Sequence, residues 1–330
     1  MRKLWRCLGS AVLLGAVCWR VDWNQVGSAF GRANWPAWLA ALALYLATQV
    51  ASSLRWQLLS RAIGFSGRLA TYLRDYFLGM FFNLLLPTSV GGDVIRVLAL
   101  TGREGPAPPA GRRLAAALSV LADRVNGVLV LVAVACAATL ASPVALPAWM
   151  LWSVAALGAS GVLGLAALPL LCRLLDIGPF QAYGFERPRR LLDAAGTLAQ
   201  RPALLLGATG LSLLVQVGNV VVVWMIGSDL DLPVPALYYA ILVPLVSLLT
   251  LLPISLNGMG LREGGTVLLL APLGVEAAEA LTLSLLTFAV FTAAGACGGL
   301  CLLFGGRGAS LPVTEEPGLE PASAREPLAA

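Results

Sequence analysis

The strongest constraint on the fold of this chain is a polar, irregular stretch set inside long apolar runs. One apolar run ends at Leu86 and the next begins at Val94. Between them the sequence reads Pro-Thr-Ser-Val-Gly-Gly-Asp, and Arg96 follows within a helical turn. Because 58% of the residues are hydrophobic and only 12% are charged, the chain is far more apolar than soluble domains. We therefore expect an all-α, polytopic membrane protein, in which interrupted backbone is tolerated only where protein or a polar cavity surrounds it.

The apolar segments define the expected spans, since a helix needs about 20 residues to cross the hydrocarbon core of a bilayer. About six full spans are predicted, at residues 4–20, 35–54, 114–140, 149–171, 203–226 and 277–304. No small-x-small cleavage site closes the first, which favours a retained signal anchor. We expect a single transmembrane domain over residues 1–305 and, because residues 306–330 are rich in Pro, Glu and Ala, a disordered tail.

The interrupted stretch has a second copy, and the two share the pattern P-x-S-x-x-G-x-x-x-R, four identities in ten positions. The aligned pairs are Pro87 with Pro253, Ser89 with Ser255, Gly92 with Gly258, and Arg96 with Arg262. In both copies the apolar run that follows is too short to cross a core of about 30 Å. We therefore predict two re-entrant broken-helix hairpins within inverted pseudo-repeats of residues 1–140 and 149–305, an arrangement typical of secondary transporters.

The distribution of basic residues favours that topology, because cytoplasmic loops carry an excess of Lys and Arg. With non-crossing hairpins and a cytoplasmic N-terminus, sixteen Lys and Arg fall inside, whereas only Arg20 and Arg32 fall outside. This count places Arg55 at the cytoplasmic end of the second span. We expect a multi-pass cell-membrane protein with its N-terminus in the cytoplasm.

The first interrupted stretch has the chemistry of a phosphate site. A helix that restarts inside the membrane presents free N–H groups and favours anions, and Arg96 adds a permanent bidentate donor. Gly92 is expected to let a head group approach the backbone. Asp93 is expected either to cap the helix or to meet a cation, which is Arg124 or a cationic head group. The candidate substrate-binding residues are Asn83, Pro87, Ser89, Gly91, Gly92, Asp93, Arg96, Asp123, Arg124, Ser255, Asn257, Gly258, Arg262 and Glu263.

Other residue types limit the chemistry that the chain supports. The absence of His removes a Ser-His triad and His metal ligands, and six Cys in or beside apolar runs indicate neither a disulfide framework nor a metal site. No catalytic residue, metal or cofactor is therefore assigned. Buried Asp–Arg pairs also serve purely to lock helices together, and Gln216 and Asn219 are interpreted as interhelical hydrogen-bonding residues.

These motifs resemble a known family. The blocks Asn83–Arg96, Leu54-Arg55-Trp56, Asp123-Arg124 and Pro253–Glu263 are similar to the flippase-like transmembrane domain of lysylphosphatidylglycerol synthases and its stand-alone relatives. The resemblance covers about residues 1–305 and implies movement of a phospholipid or lipid-linked head group between leaflets. Full-length synthases add a soluble lysine-transferring domain. Only about twenty residues follow the last span here, so we expect that activity to be absent.

Three functions remain in competition, and each has its own partners. The first is a lipid flippase or transporter acting on a membrane lipid or a lipid-linked substrate such as a polyprenyl-linked sugar. The second is an integral membrane enzyme that uses Asp93 or Glu263 as a base on a lipid phosphate. The third is an accessory subunit for a separate synthase or glycosyltransferase. A homo-oligomer is also considered, and no nucleic-acid partner is expected.

Overall fold

The structure is a computed structural model of the chain, and it describes residues 23–32, 34–85, 91–103, 105, 111–175, 200–252, 255 and 258–304. All the regular elements in these ranges are helical. The helices are α1 (Trp23–Arg32), α2 (Trp35–Ala62), α3 (Leu69–Leu85), α4 (Gly91–Gly102), α5 (Arg112–Leu140), α6 (Ala148–Leu175), α7 (Pro202–Asp229), α8 (Ala236–Leu251), α9 (Leu261–Leu270) and α10 (Ala277–Phe304). A short 3₁₀ turn, Ala271–Leu273, joins the last two.

Five described helices, α2, α5, α6, α7 and α10, are long and apolar enough to cross a membrane. They correspond to five of the six predicted spans, and the remaining one, residues 4–20, lies outside the described residues. The prediction of a polytopic α-helical membrane protein is therefore confirmed. The structure extends α2 to Ala62, eight residues beyond the predicted end of that span, so Arg55 lies within the helix.

Each interrupted stretch folds as two short helices that pack against each other. At the first break (residues 86–90), α3 gives way to α4, and at the second break (residues 252–260), α8 gives way to α9. At 1.5 Å per residue the ten residues of α9 extend about 15 Å, half of a hydrocarbon core. Of the predicted site residues, Pro87, Ser89 and Asn257 lie outside the described part of the chain.

A pair of glycines brings the two arms of the first hairpin into backbone contact. A Cβ on Gly92 would lie 2.1 Å from the carbonyl oxygen of Gly79, and one on Gly79 would lie 2.9 Å from that of Gly92. Only hydrogen fits at these two positions. The α3 backbone thus fills the Cβ position of Gly92. The expectation that Gly92 lets a head group approach the backbone stays a prediction, since this residue also lines the cavity beside the first break.

Helix α10 also uses glycines to reach the first hairpin. A Cβ on Gly298 would lie 2.0 Å from the carbonyl oxygen of Phe77, and Gly295 and Gly299 pack against Leu84 and Phe81. This face of α10 thus presents backbone rather than side chains to α3. It holds the first hairpin against a helix from the other end of the sequence.

The helix contacts of the first half of the chain match those of the second half when α2, α3, α4 and α5 are taken to correspond to α7, α8, α9 and α10. Under this correspondence, the contact α3–α10 matches α8–α5, α4–α5 matches α9–α10, α2–α3 matches α7–α8, α2–α5 matches α7–α10, and α2–α10 matches α7–α5. Helices α2 and α7, which correspond to each other, pack together. Helix α3 contacts α2 and helix α8 contacts α7, so each pair of short helices lies beside one member of the α2–α7 pair.

Candidate functional site

A polar cavity of about 330 Å³ lies beside the first break, between α2, α3, α4, α5, α7 and α8. Its charged lining residues are Arg55, Asp93, Arg96, Asp123 and Arg124. Neutral polar groups line the remainder and include Gln49, Asn83, Gln216 and Asn219. The structure thus brings six predicted site residues to one cavity, namely Asn83, Gly92, Asp93, Arg96, Asp123 and Arg124.

Asp123 is the centre of the charged cluster. One of its carboxylate oxygens accepts a hydrogen bond from Nε of Arg55 at 2.7 Å, and the other accepts from Nη2 of Arg96 at 2.7 Å. The three side chains are between 1% and 7% exposed. Breaking such a buried contact would leave an uncompensated charge, so this geometry holds α2, α4 and α5 together.

Asp93 continues the cluster toward the more exposed side. Its Oδ2 lies 2.8 Å from Nε of Arg124, its Oδ1 accepts from Nη2 of the same residue at 3.0 Å, and Nη1 of Arg96 lies 3.6 Å from Oδ1. The residues Arg55, Asp123, Arg96, Asp93 and Arg124 therefore form one continuous arginine–aspartate chain. Arg124, one of the two cationic partners predicted for Asp93, contacts it in the structure.

Two aromatic rings enclose the middle of the arginine–aspartate chain. The guanidinium carbon of Arg96 lies 4.2 Å from the ring centroid of Trp56 and 4.7 Å from that of Tyr76. Both contacts have the geometry of cation–π interactions. Nε of Arg96 is buried and has no hydrogen-bond partner within the described residues, so this guanidinium retains an unused donor.

The start of α4 is satisfied by a side chain. Oδ1 of Asn83 accepts a hydrogen bond from the backbone N–H of Gly92 at 2.7 Å. Asn83 therefore caps α4. The sequence analysis had proposed Asp93 as one candidate for this role. Asn83 also lines the cavity, so it connects the end of the broken helix to the site.

The second break carries one ion pair between residues adjacent in sequence. Arg262 pairs with Glu263, whose other oxygen accepts from the N–H of Gly260 at 2.7 Å. The Arg262 guanidinium lies 3.9 Å from the ring centroid of Phe288. Gly258 has a φ of +75°, which favours glycine. Ser255 is buried, and its hydroxyl has no partner in the described part of the chain.

The cavities at the two breaks adjoin. A second cavity of about 260 Å³ is lined by Arg262 and Phe288. Five further residues line both this cavity and the first, namely Tyr45, Met80, Asn83, Ser247 and Thr250. The two cavities therefore share part of their walls, which lies between the arginine–aspartate chain and Arg262.

The sequence analysis ended the second span just before Arg55 and did not include this residue in the site. The structure places it inside α2, 6% exposed, with Nη1 donating to Oγ of Ser212 at 2.8 Å. A signal for this position is present in the sequence. Gln49, Ser52 and Arg55 recur at three-residue spacing in an apolar span and thus share one helix face.

Gln216 and Asn219 form the interhelical hydrogen bonds predicted for them, and they also line the cavity. Nε2 of Gln216 donates to the carbonyl of Gly127 at 3.1 Å, and Oδ1 of Asn219 lies 3.4 Å from the hydroxyl of Thr48. Their packing role and their position in the site are therefore compatible. Sequence reasoning excluded them because polar residues in apolar helices usually serve packing alone.

A separate charged cluster lies at the other end of the first hairpin. Asp75 is fully buried and pairs with Arg103 and with Arg74, the latter at 3.0 Å. Arg103 also lies over the ring of Tyr72. These residues do not line the cavities at the breaks, so we interpret them as fastening α4 to α3. In the described residues, no group of three His, Cys, Asp or Glu side chains is arranged to hold a metal ion.

Comparison with known proteins identifies one family. A family model described as "Lysylphosphatidylglycerol synthase TM region" matches residues 3–299, which is most of the chain. No curated protein sequence and no solved structure gives a significant match.

Proposed function

Because the chain belongs to the lysylphosphatidylglycerol synthase transmembrane family, we propose that it is a flippase-like transporter of a phospholipid or lipid-linked head group. The observation that carries this proposal is the buried arginine–aspartate chain, which lines a cavity at the break of a helix. Ionisable side chains within membrane segments mark substrate pathways, since burying them is costly.

The two adjoining cavities support movement rather than binding alone. A head group that leaves the first cavity meets Asn83, Ser247 and Thr250, and then Arg262. The polar side chains on this shared wall offer hydrogen-bond partners to the head group between the two arginines. Arg96 and Arg262 then contact the phosphate at the two ends of a single path.

The proposed transport cycle uses inverted repeats. The matched helix contacts support two equivalent halves. Each half contains a broken hairpin that is too short to span, and the hairpins enter from opposite faces. The excess of Lys and Arg in segments assigned to one side supports a cytoplasmic N-terminus in a cell membrane.

The carboxylates of the site favour transport over lipid chemistry. Asp93, Asp123 and Glu263 each contact an arginine. A general base of the kind required by the enzyme hypothesis must lie within hydrogen-bond reach of the proton that it removes. Each of these carboxylates is instead directed at an arginine, so the site is better suited to hold charge than to transfer a proton.

The test is lipid movement in proteoliposomes that contain the purified full-length chain. We expect Arg96→Ala and Arg262→Ala to abolish transbilayer movement of an acyl-labelled phospholipid, and Arg113→Ala to retain it. Arg113 is a suitable control because it is exposed at the start of α5. All variants must give the same monodisperse elution profile as the unmodified protein.

Two other results would contradict transport by this chain. Conversion of the labelled lipid to a new species would indicate an enzyme. Movement that requires an added synthase or glycosyltransferase would indicate an accessory subunit.

A further inference from the structure

The charge balance of the first cavity restricts the lipids that it accepts. Three guanidiniums and two carboxylates line it, so its charged groups sum to +1. At the second break, the pairing of Arg262 with Glu263 leaves no net charge. The path as described is therefore positive at one end and neutral at the other.

Every carboxylate oxygen in the first cavity already contacts a guanidinium. Both oxygens of Asp123 are held at 2.7 Å, one by Arg55 and one by Arg96. Both oxygens of Asp93 contact Arg124, at 2.8 and 3.0 Å. An ammonium group would therefore have to share a carboxylate with a guanidinium that already holds it, and it would lie close to that like charge.

The aromatic rings beside the cluster are occupied in the same way. Trp56 and Tyr76 present the faces that elsewhere bind quaternary ammonium groups. Here Arg96 already covers both faces, at 4.2 and 4.7 Å from the ring centroids. The aromatic rings that a cationic head group would need are thus already in contact with a cation of the protein itself, Arg96.

Donors for an anion remain. Nε of Arg96 is buried without a partner in the described structure, and the side chain of Arg124 is 38% exposed. The amides of Gln49 and Gln216 line the same cavity. These groups suit a phosphate that carries one negative charge together with the hydroxyls of a neutral head group.

Hydroxyl partners continue beyond the first cavity. A small cavity of about 60 Å³ beside Arg262 is lined by Ser284 and Thr287. Their hydroxyl oxygens are buried and have no partner within the described residues. Buried hydroxyls of this kind can exchange hydrogen bonds with a polyol but add no charge.

We infer that the protein selects a monoanionic phospholipid with a hydroxylated, amine-free head group, and discriminates against lipids with a cationic or quaternary-ammonium head group. This inference rests on the proposed function, because it assumes that the cavity holds the lipid that is transported. The selectivity itself is a binding property and can be measured without transport.

The experiment compares three lipids with identical labelled acyl chains in proteoliposomes of the full chain. They are phosphatidylglycerol, phosphatidylcholine and lysyl-phosphatidylglycerol. We expect phosphatidylglycerol to move at least about tenfold faster than the other two, because electrostatic complementarity determines selectivity. Binding of the same lipids to the detergent-solubilised protein is measured in parallel by native mass spectrometry.

The two readouts separate the selectivity from the transport function. Selective binding of phosphatidylglycerol without movement of any lipid overturns the proposed function and supports the inference. Equal or faster movement of lysyl-phosphatidylglycerol or phosphatidylcholine overturns the inference and leaves the proposed function standing. Equal binding of all three lipids also overturns the inference.

A pair of variants at Arg124 tests the charge argument directly. Arg124→Gln removes the excess positive charge and frees both contacts of Asp93, so the preference for phosphatidylglycerol over phosphatidylcholine in binding should fall by about tenfold. Arg124→Lys keeps the charge and should keep most of the preference. An unchanged preference in a folded Arg124→Gln protein would overturn the inference. Should Arg124→Gln not fold, the comparison of three lipids on the unmodified protein decides alone.

Discussion

At the first break three guanidiniums share two carboxylates that come from different helices, whereas at the second break one guanidinium pairs with its neighbour in sequence. The shared pattern P-x-S-x-x-G-x-x-x-R therefore leads to two different sites. In the first, ion pairs join α2, α4 and α5. In the second, the pair is local to α9. The difference shows that a repeated sequence motif fixes where an arginine lies, while the surrounding helices decide what that arginine does.

The largest expected effect concerns the shared carboxylate. Asp123→Asn would leave Arg55 and Arg96 buried without their common partner, at a cost of about 3–5 kcal/mol in the free energy of unfolding. Glu263→Gln strands only Arg262, which is 10% exposed and retains the Phe288 ring, so about half that loss is expected. Thermal unfolding in detergent measures both. Equal losses would contradict the distinction between a shared and a local ion pair.

The next largest effect concerns the aligned glycines of the two motifs, whose replacement by Ala should destabilise the protein for different reasons. Gly92→Ala forces apart two backbones and should cost about 1–3 kcal/mol of stability, as overpacked substitutions do. Gly258→Ala meets the methyl group of Thr250 at 2.7 Å and keeps a positive φ, with about 1–2 kcal/mol of strain. Adding Thr250→Ser should recover part of the second loss. Adding Asn83→Ala should not recover the first, since the obstacle is the Gly79 carbonyl; recovery there would show that the arms are not in backbone contact.

The aromatic contacts give a smaller effect. Phe288→Leu removes the ring recorded against Arg262, whereas Tyr76→Leu leaves Arg96 in contact with Trp56. We expect Phe288→Leu to destabilise by about 1 kcal/mol more than Tyr76→Leu, the scale of a partly desolvated cation–π contact. Melting temperatures of the two variants measure this. The reverse order would mean that Tyr76 rather than Trp56 supports Arg96.

The smallest expected effect on stability distinguishes a buried hydroxyl that has a hydrogen-bond partner from one that has none among the described residues. Ser212→Ala removes the hydrogen bond from Arg55 and should cost about 1–2 kcal/mol, because a charged donor loses its acceptor. Ser284→Ala removes a buried hydroxyl without a described partner and should be nearly neutral in stability, within about 0.5 kcal/mol. Denaturant titration of both variants resolves the difference. A large loss in Ser284→Ala would indicate that its hydroxyl has a structural partner.

Much of the fold followed from hydropathy, because a bilayer dictates the length of each span. The intramembrane residues Asp93, Arg96, Asp123 and Arg124 stood out for the same reason, since charge is rare where hydrocarbon surrounds a helix. Which of these charged residues pair with one another could not be predicted from hydropathy. Asp123 reaches Arg55 across 68 residues and Arg96 across 27, and no periodicity in one helix specifies which neighbouring helix packs beside it.

The roles of individual residues at the break were also beyond the sequence. Gly92 contacts the carbonyl of Gly79, and Asn83 caps the helix that begins after the break. Both facts depend on the α3–α4 crossing, which the motif alone does not encode. Arg55 was left out of the candidate site because an arginine near the expected end of a span is usually interfacial.

The glycine face of α10 determines how directly the two ends of the chain are coupled. Where Gly295, Gly298 and Gly299 meet α3, atoms of Leu84, Phe77 and Phe81 occupy the space that side chains of α10 would otherwise fill. Contacts packed this closely have low compressibility and transmit a displacement from one element to its neighbour. A movement of α10 would therefore be passed directly to α3 and, through the contact of Gly79 with Gly92, to α4.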